Sequence, residues 1–163
     1  MGIVRELSPG LRLFIERGYP ASYTSSTHFR HRAIIGIGGN VGDVKRRFHH
    51  LYYFLKRQKG IVVLHTAPIL QNPPFGYAQQ DDFFNSVIEV ATSMTPRELL
   101  AFLLRVEKHF GRKRSFANAP RTLDLDLIFF DDVSMKTARL TLPHPHWQER
   151  ESVLIPLYLL GKC

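Results

Sequence analysis

Apolar residues recur along this chain at two spacings, and the changes between them mark the elements. Residues 33–37 are an apolar run closing on Gly38-Gly39, which predicts a strand and then a tight turn. Phe48, Leu51, Tyr52 and Leu55 follow at i, i+3, i+4 and i+7, so a helix is predicted over 44–58, with Gly60 as its C-terminal cap. Residues 61–66 predict a second strand and 83–91 a third, separated by a Pro/Gly/Asn/Gln-rich loop over 67–82. Thr95-Pro96-Arg97-Glu98 is a capping box with proline at the first helical position. That helix should run to about Phe110 and stop at Gly111. A basic loop over 112–123, a fourth strand over 125–130, a short excursion or hairpin over 131–142, a turn at Pro143-His144-Pro145-His146 and a helix over 151–160 complete the chain. The order β-α-β-β-α-β is the split βαβ arrangement. The expected fold class is therefore α+β: a ferredoxin-like antiparallel sheet with helices on one face, plus long active-site loops. The domain spans 33–163.

Residues 1–32 stand apart as an arm. They mix Arg, Ser, Thr, Gly and Pro around a short apolar patch, Leu11, Leu13, Phe14 and Ile15. The patch is too short and interrupted for a secretory segment, and Glu6 and Glu16 count against an organelle transit peptide. One short helix or strand is expected there, packed on the domain or on a partner.

Composition narrows the function. The 163 residues carry a formal charge of +8 and are 44% hydrophobic, without a run long enough to span a membrane. Cys163 is the sole cysteine, which excludes an internal disulfide framework and a cysteine zinc site and fits a reducing, cytoplasmic setting. The positive excess is either a solubility feature or suits an anionic partner. The clustering of Arg112, Lys113, Arg114 and Arg121 near two aspartates favours phosphate.

Those aspartates carry most of the chemistry. Asp124 and Asp126 sit two residues apart at the entrance to an apolar strand, so they share a face while Leu125 and Leu127 point into the core. Like charges about 7 Å apart repel, and burying either is costly without a cation between them. A divalent metal holding a polyphosphate satisfies both, and arginine forks suit the phosphates. Glu107 lies on the apolar stripe with Leu100 and Leu103, so it needs either a basic partner or a ligand. Gly36-x-Gly38-x-x-Val41 lacks the third glycine of a dinucleotide fingerprint, and no P-loop lysine follows. It reads as a strand-to-helix turn capped by Asn40 or Asp43, or as part of a site wall. His144 and His146 flank Pro145 without a third ligand at metal spacing.

Taken together, Pro73-Pro74-Phe75-Gly76, Asp82-Phe83-Phe84-Asn85, Glu107-x-x-x-Gly111-Arg112-x-Arg114, Pro120-Arg121-Thr122-Leu123-Asp124-Leu125-Asp126 and Pro143-His144 resemble the 6-hydroxymethyl-7,8-dihydropterin pyrophosphokinase family of folate biosynthesis. The resemblance covers Ile34 to about Leu160. It implies transfer of the β,γ-pyrophosphoryl group of ATP to the hydroxymethyl group of a reduced pterin, with AMP as the other product. It implies two Mg²⁺ ions held by Asp124 and Asp126, and Arg112, Arg114 and Arg121 on the triphosphate and product. His144 and Arg150 would be further ATP contacts, and Glu107 a residue of the nucleotide pocket. Asn85 would read the pterin edge and Phe83 stack on its ring, with Pro73 and Phe75 in the loop lining that pocket. The implied partners are ATP and the pterin, with neither nucleic acid nor membrane, and the protein is a monomer or homodimer. Two departures stand out: Ser152 occupies the place of a second stacking aromatic, and Asn118 stands where some members have tryptophan. Two other readings use the same fold. An RNA-binding module fits fold and charge, but the aspartate pair would repel a phosphate backbone. A catalytically silent subunit is disfavoured by that intact pair.

Overall fold

The computed structural model describes residues 2–23, 27–74, 79–112 and 120–160. Its centre is the long strand β4, His31–Gly39, which pairs antiparallel with β7, Phe83–Thr92, on one side and β8, Asp124–Phe130, on the other. On the far side of β7 two shorter strands lie end to end. β5, Ile61–Thr66, pairs with its C-terminal half and β6, Ile69–Asn72, with its N-terminal half. The core order β5-β7-β4-β8, all antiparallel, is the arrangement expected of a split βαβ unit.

Two helices close one face. In α1, Val44–Lys56, the side chains of Phe48, Leu51, Tyr52 and Leu55 are buried, as their spacing predicts. Asp43, not Asn40, is the cap, accepting from the Arg46 amide at 3.1 Å. α2, Pro96–His109, opens on the expected box: Thr95 Oγ1 accepts from the Glu98 amide, and Glu98 Oε1 accepts from the Thr95 amide. Gly111 follows at φ +85°, a conformation that ends the helix. Ile35, Ile37, Ile88, Val90, Leu125 and Leu127 meet these helices in one core. The third helix, α3, Glu151–Leu159, departs from the one-face expectation. It contacts β6 and β7, and its first turn shares a cavity with Gly36, Asn85 and Asp126 on the opposite face. The middle of that face carries Gly36, Gly38, Asn85, Asp124 and Asp126, and α3 covers it at one end.

Two segments hold more strand than the pattern indicates. The 67–82 loop contains β6. The N-terminal segment forms three strands: β1, Ile3–Ser8, β2, Leu11–Ile15, and β3, Ala21–Ser22. β2 pairs with β6, and β3 pairs with β5. Excursion 131–142 is a small hairpin of β9, Met135–Lys136, and β10, Thr141–Leu142.

The N-terminal segment is tied to the core by Tyr19, a fully buried residue whose hydroxyl donates to the Phe48 carbonyl at 2.8 Å. Tyr19→Phe removes that bond and keeps the ring. It should lower unfolding free energy by about 1 kcal/mol in urea titrations, and an unchanged midpoint would show that the tie contributes nothing.

Candidate active site

The sheet face left open by α1 and α2 is organised in rows. Asp124 lies opposite Gly38 on β4, Gly38 opposite Asn85 on β7, and Asn85 opposite Leu70 on β6. One row along, Asp126 lies opposite Gly36. The two glycines keep this floor clear. A Cβ at Gly38 would stand 2.5 Å from Asn85 Oδ1, and one at Gly36 would stand 3.2 Å from Ile128 Cδ1. Their spacing therefore serves the strand's upper face, not a phosphate-binding turn.

Above the floor is a cavity of about 470 Å³, bordered by Pro73, Phe83, Asn85, Arg121, Asp124, Asp126 and Arg150. Residues from three separate stretches of the motif set, joined by Arg150, thus meet in one place. Ser152 also borders it, at the start of α3. Arg121 leans over the Phe83 ring, its Cζ 5.8 Å from the centroid.

Asp124 is held by two guanidinium groups. Arg112 Nη1 donates to Asp124 Oδ1 at 2.7 Å, and Arg121 Nη1 to Asp124 Oδ2 at 3.1 Å. Arg112 also reaches Glu107 Oε2 at 2.9 Å, which answers the buried carboxylate's need for a basic partner. Burial alone would lower the Arg112 pKa, but Asp124 and Glu107 outweigh it and raise the net value. Glu107 Oε2 further accepts from the Leu125 amide at 2.7 Å. Glu107 thus grips β8 from the core side, between the two aspartates. Neither Glu107 nor Arg112 borders the cavity.

Asp126 has the opposite problem. Burial, then the negative charges of Asp124 and Glu107, push its pKa up to about 7 despite Arg121 and Arg150. Such a carboxylate takes up a proton near neutrality unless a cation comes to it. His144 hydrogen-bonds through its amide to the Ile128 carbonyl at 2.9 Å, at the outer edge of β8. Burial, then Arg150 and His146, lower its pKa, which favours the neutral ring. His146 turns instead to Glu149, at 3.1 Å, and no group of three or more His, Cys, Asp or Glu at metal-binding distance occurs among the described residues.

Four residues hold places that sequence reasoning did not assign them: Asn72, Asn40, Glu149 and Glu151. Asn72 Oδ1 accepts from Asn85 Nδ2 at 2.6 Å, while Asn72 Nδ2 donates to the Pro73 carbonyl at 3.0 Å, so a relay fixes the Asn85 amide. Asn40, buried, joins two loops: Nδ2 donates to Gln80 Oε1 and the Asp81 carbonyl, and Oδ1 accepts from the Arg121 amide. The only signal for Asn40 was an asparagine within a glycine turn, which local rules assign to helix capping. Glu149 and Glu151 flank Arg150 at the cavity rim, with no signal beyond that adjacency. Phe75, Arg114 and Asn118 lie outside the described residues.

Residues 34–162 match the sequence profile of the family described as 7,8-dihydro-6-hydroxymethylpterin-pyrophosphokinase. Relatives named 2-amino-4-hydroxy-6-hydroxymethyldihydropteridine pyrophosphokinase are similar over most of their length. The protein of Helicobacter pylori is 38% identical over 149 residues, covering 90% of this chain and 91% of its own. That of Campylobacter jejuni is 39% identical over 144 residues, covering 88% and 92%. That of Bacillus subtilis is 35% identical over 125 residues, covering 77% and 75%.

The Asp126 environment has a consequence for stability. Its folded pKa lies above the unfolded value, so its favourable contribution is complete below the unfolded pKa and is lost as pH rises toward about 7. Asp126→Asn removes that dependence. Without metal, at pH 8, the variant should be more stable than the parent by on the order of 2 kcal/mol, with the gap closing toward pH 4. Urea midpoints in EDTA across that range measure it, and a gap constant with pH would refute the assignment.

Proposed function

The chain belongs to the 7,8-dihydro-6-hydroxymethylpterin-pyrophosphokinase family, and we propose that it transfers pyrophosphate from ATP to 6-hydroxymethyl-7,8-dihydropterin, giving AMP and the pterin pyrophosphate, in folate biosynthesis. The observation that carries this reading is a single cavity with two unlike walls. Asp124, Asp126 and Arg121 line one side, and Asn85, Phe83 and Pro73 the other. The first suits a metal polyphosphate and the second a flat, hydrogen-bonding heterocycle.

Asp124 and Asp126 would hold magnesium, in two ions. The donor set fits: magnesium is commonly bound by one or two carboxylates plus substrate phosphates, and Asp126 is a carboxylate short of positive charge. Bound there, magnesium would neutralise the phosphates and favour loss of the hydroxymethyl proton. The protein's own groups do the positioning. Arg121 and Arg112, with Arg114, bind the triphosphate and the departing product, where a guanidinium donates two parallel hydrogen bonds to phosphate oxygens. Arg150 and a neutral His144 contact ATP, the latter as donor or acceptor without adding charge. Glu107 supports the nucleotide side by holding Arg112 and the β8 backbone. Asn85, held by Asn72, reads the pterin edge, and Phe83 stacks on its ring, with Phe75 as a further wall. The hydroxymethyl oxygen forms a bond to the β-phosphorus, the bond from that phosphorus to the oxygen bridging to the α-phosphate breaks, and AMP departs. In such transfers positioning and charge neutralisation supply most of the rate.

No helix among the described residues is long and apolar enough to cross a membrane. A cytoplasmic location agrees with that and with the terminal lone cysteine.

AMP release should require ATP, magnesium and the reduced hydroxymethylpterin together. Asp124→Ala and Asp126→Ala should each lower kcat by at least about a thousandfold while the circular dichroism spectrum stays native. Folded parent protein that makes no AMP under these conditions would sink the reaction assignment. A near-normal rate in either variant would sink the metal assignment alone.

A further inference from the structure

The N-terminal hairpin does not end at the protein's margin by chance of packing. Its inner strand β2 pairs with β6 in a fixed register, Arg12 opposite Gln71, Leu13 opposite Leu70 and Phe14 opposite Ile69. β6 is only four residues long and ends at Asn72, the residue bonded to Asn85. The hairpin turn reaches the same place. Gly10, at φ +84°, lies so near Pro73 that an added Cβ would stand 3.4 Å from its Cγ.

Beneath the sheet the hairpin is clamped again. Phe14 packs edge-on against Phe84, 5.7 Å between centroids, and Phe84 lies between Phe83 and Asn85 in β7. Lys45 Nζ sits 4.1 Å from the Phe14 centroid and 3.4 Å from Glu16 Oε1. The outer strand β1 adds little to the core, since all six of its residues are exposed. Leu13 and Phe14 are the buried residues of the hairpin, and both lie on the strand that touches β6. The contacts of the hairpin are therefore concentrated on the segment that delivers Asn72, Pro73 and Pro74 to the cavity rim.

We propose that the hairpin of residues 3–15 is a positioning element for the pterin half of the site, fixing the Asn72–Pro74 rim and through it the Asn85 amide. This rests on the assignment of that rim to the pterin. β6 is flanked by Pro68 and Pro73, which cannot donate to a ladder, so it depends on β7 and β2 for its place. Loosening β2 should let the rim drift, and small misplacement of a binding wall is costly in affinity.

Steady-state kinetics with both substrates test this. Phe14→Ala should raise the KM for the pterin about tenfold, with the KM for ATP and kcat within about twofold of the parent. Phe14→Leu should give a smaller rise in the same direction, and it carries the test if Phe14→Ala does not fold. Leu99→Ala, a buried position in the first turn of α2, provides a loss of Tm without touching the hairpin and should leave the pterin KM unchanged. An unchanged pterin KM in the folded Phe14 variants, or an equal rise in Leu99→Ala, overturns the proposal. Asn85→Ala separates the two levels of inference. If it leaves the pterin KM unchanged, the rim does not belong to the pterin. If it raises KM while the Phe14 variants do not, the site assignment stands and the positioning role falls.

Discussion

The grip of Glu107 on β8 is the constraint around which the site is arranged. One buried carboxylate accepts from the Leu125 amide and from Arg112, and Arg112 passes its remaining charge to Asp124. A buried ion pair adds little stability over an apolar pair of similar volume, yet breaking one by removing a single partner is costly. Its value here is geometric. Leu125 lies between the two aspartates, so a bond to its amide fixes the backbone from which both carboxylates project. The polar bond also comes from the core side, which leaves the opposite face open for ligand.

Charge balance around that face closes only in part. Asp124 meets two guanidinium groups, whereas Arg121 and Arg150 offset the burial of Asp126 only in part, and it is held toward its protonated form. The imbalance is what a site for a metal polyphosphate requires. A cation suits the under-compensated carboxylate, and phosphates suit the arginines that the carboxylates share. Neither ligand alone leaves the cluster balanced, since the metal adds positive charge and the phosphates negative. The same balance argues against a general RNA-binding role for this face, where the carboxylates would stand against a phosphate backbone and α3 covers part of the sheet.

Elements whose signals are local were legible in the sequence. The capping box at Thr95 needs only four consecutive residues, and the alternation from Asp124 to Leu127 states which face each side chain takes. Glu107 could be read as a carboxylate in need of a partner, and Arg112 five residues on is that partner. Elements made by distant pairing were not legible. β6 offers four residues between prolines, too few for a period, and becomes a strand only because β7 and β2 flank it. β2 and β3 likewise depend on distant partners, Arg12 lying opposite Gln71 in β6 and Ala21 opposite Thr66 in β5. Asn40 reads from the sequence as one of two candidate caps, with Asp43, because helix rules see only its neighbours along the chain. Its actual partners, at positions 80, 81 and 121, are brought to it by the sheet.

The outer edge of β8 shows how one strand can serve core, site and boundary together. Its inner edge pairs with β4, but the register shifts between Ile34 and Ile35, so Ile128 has no opposite residue. Such a bulge bends the strand and re-aims its neighbours. On the outer side the Ile128 carbonyl accepts from the His144 amide, which lays the Pro143–His146 turn along the edge. An exposed strand edge invites pairing with another chain, and a covering turn containing two prolines removes that opportunity. The same cover carries His144 toward the site and leads into Arg150, which borders the cavity. The turn that covers the edge thus also leads the chain through two proposed ATP contacts, His144 and Arg150.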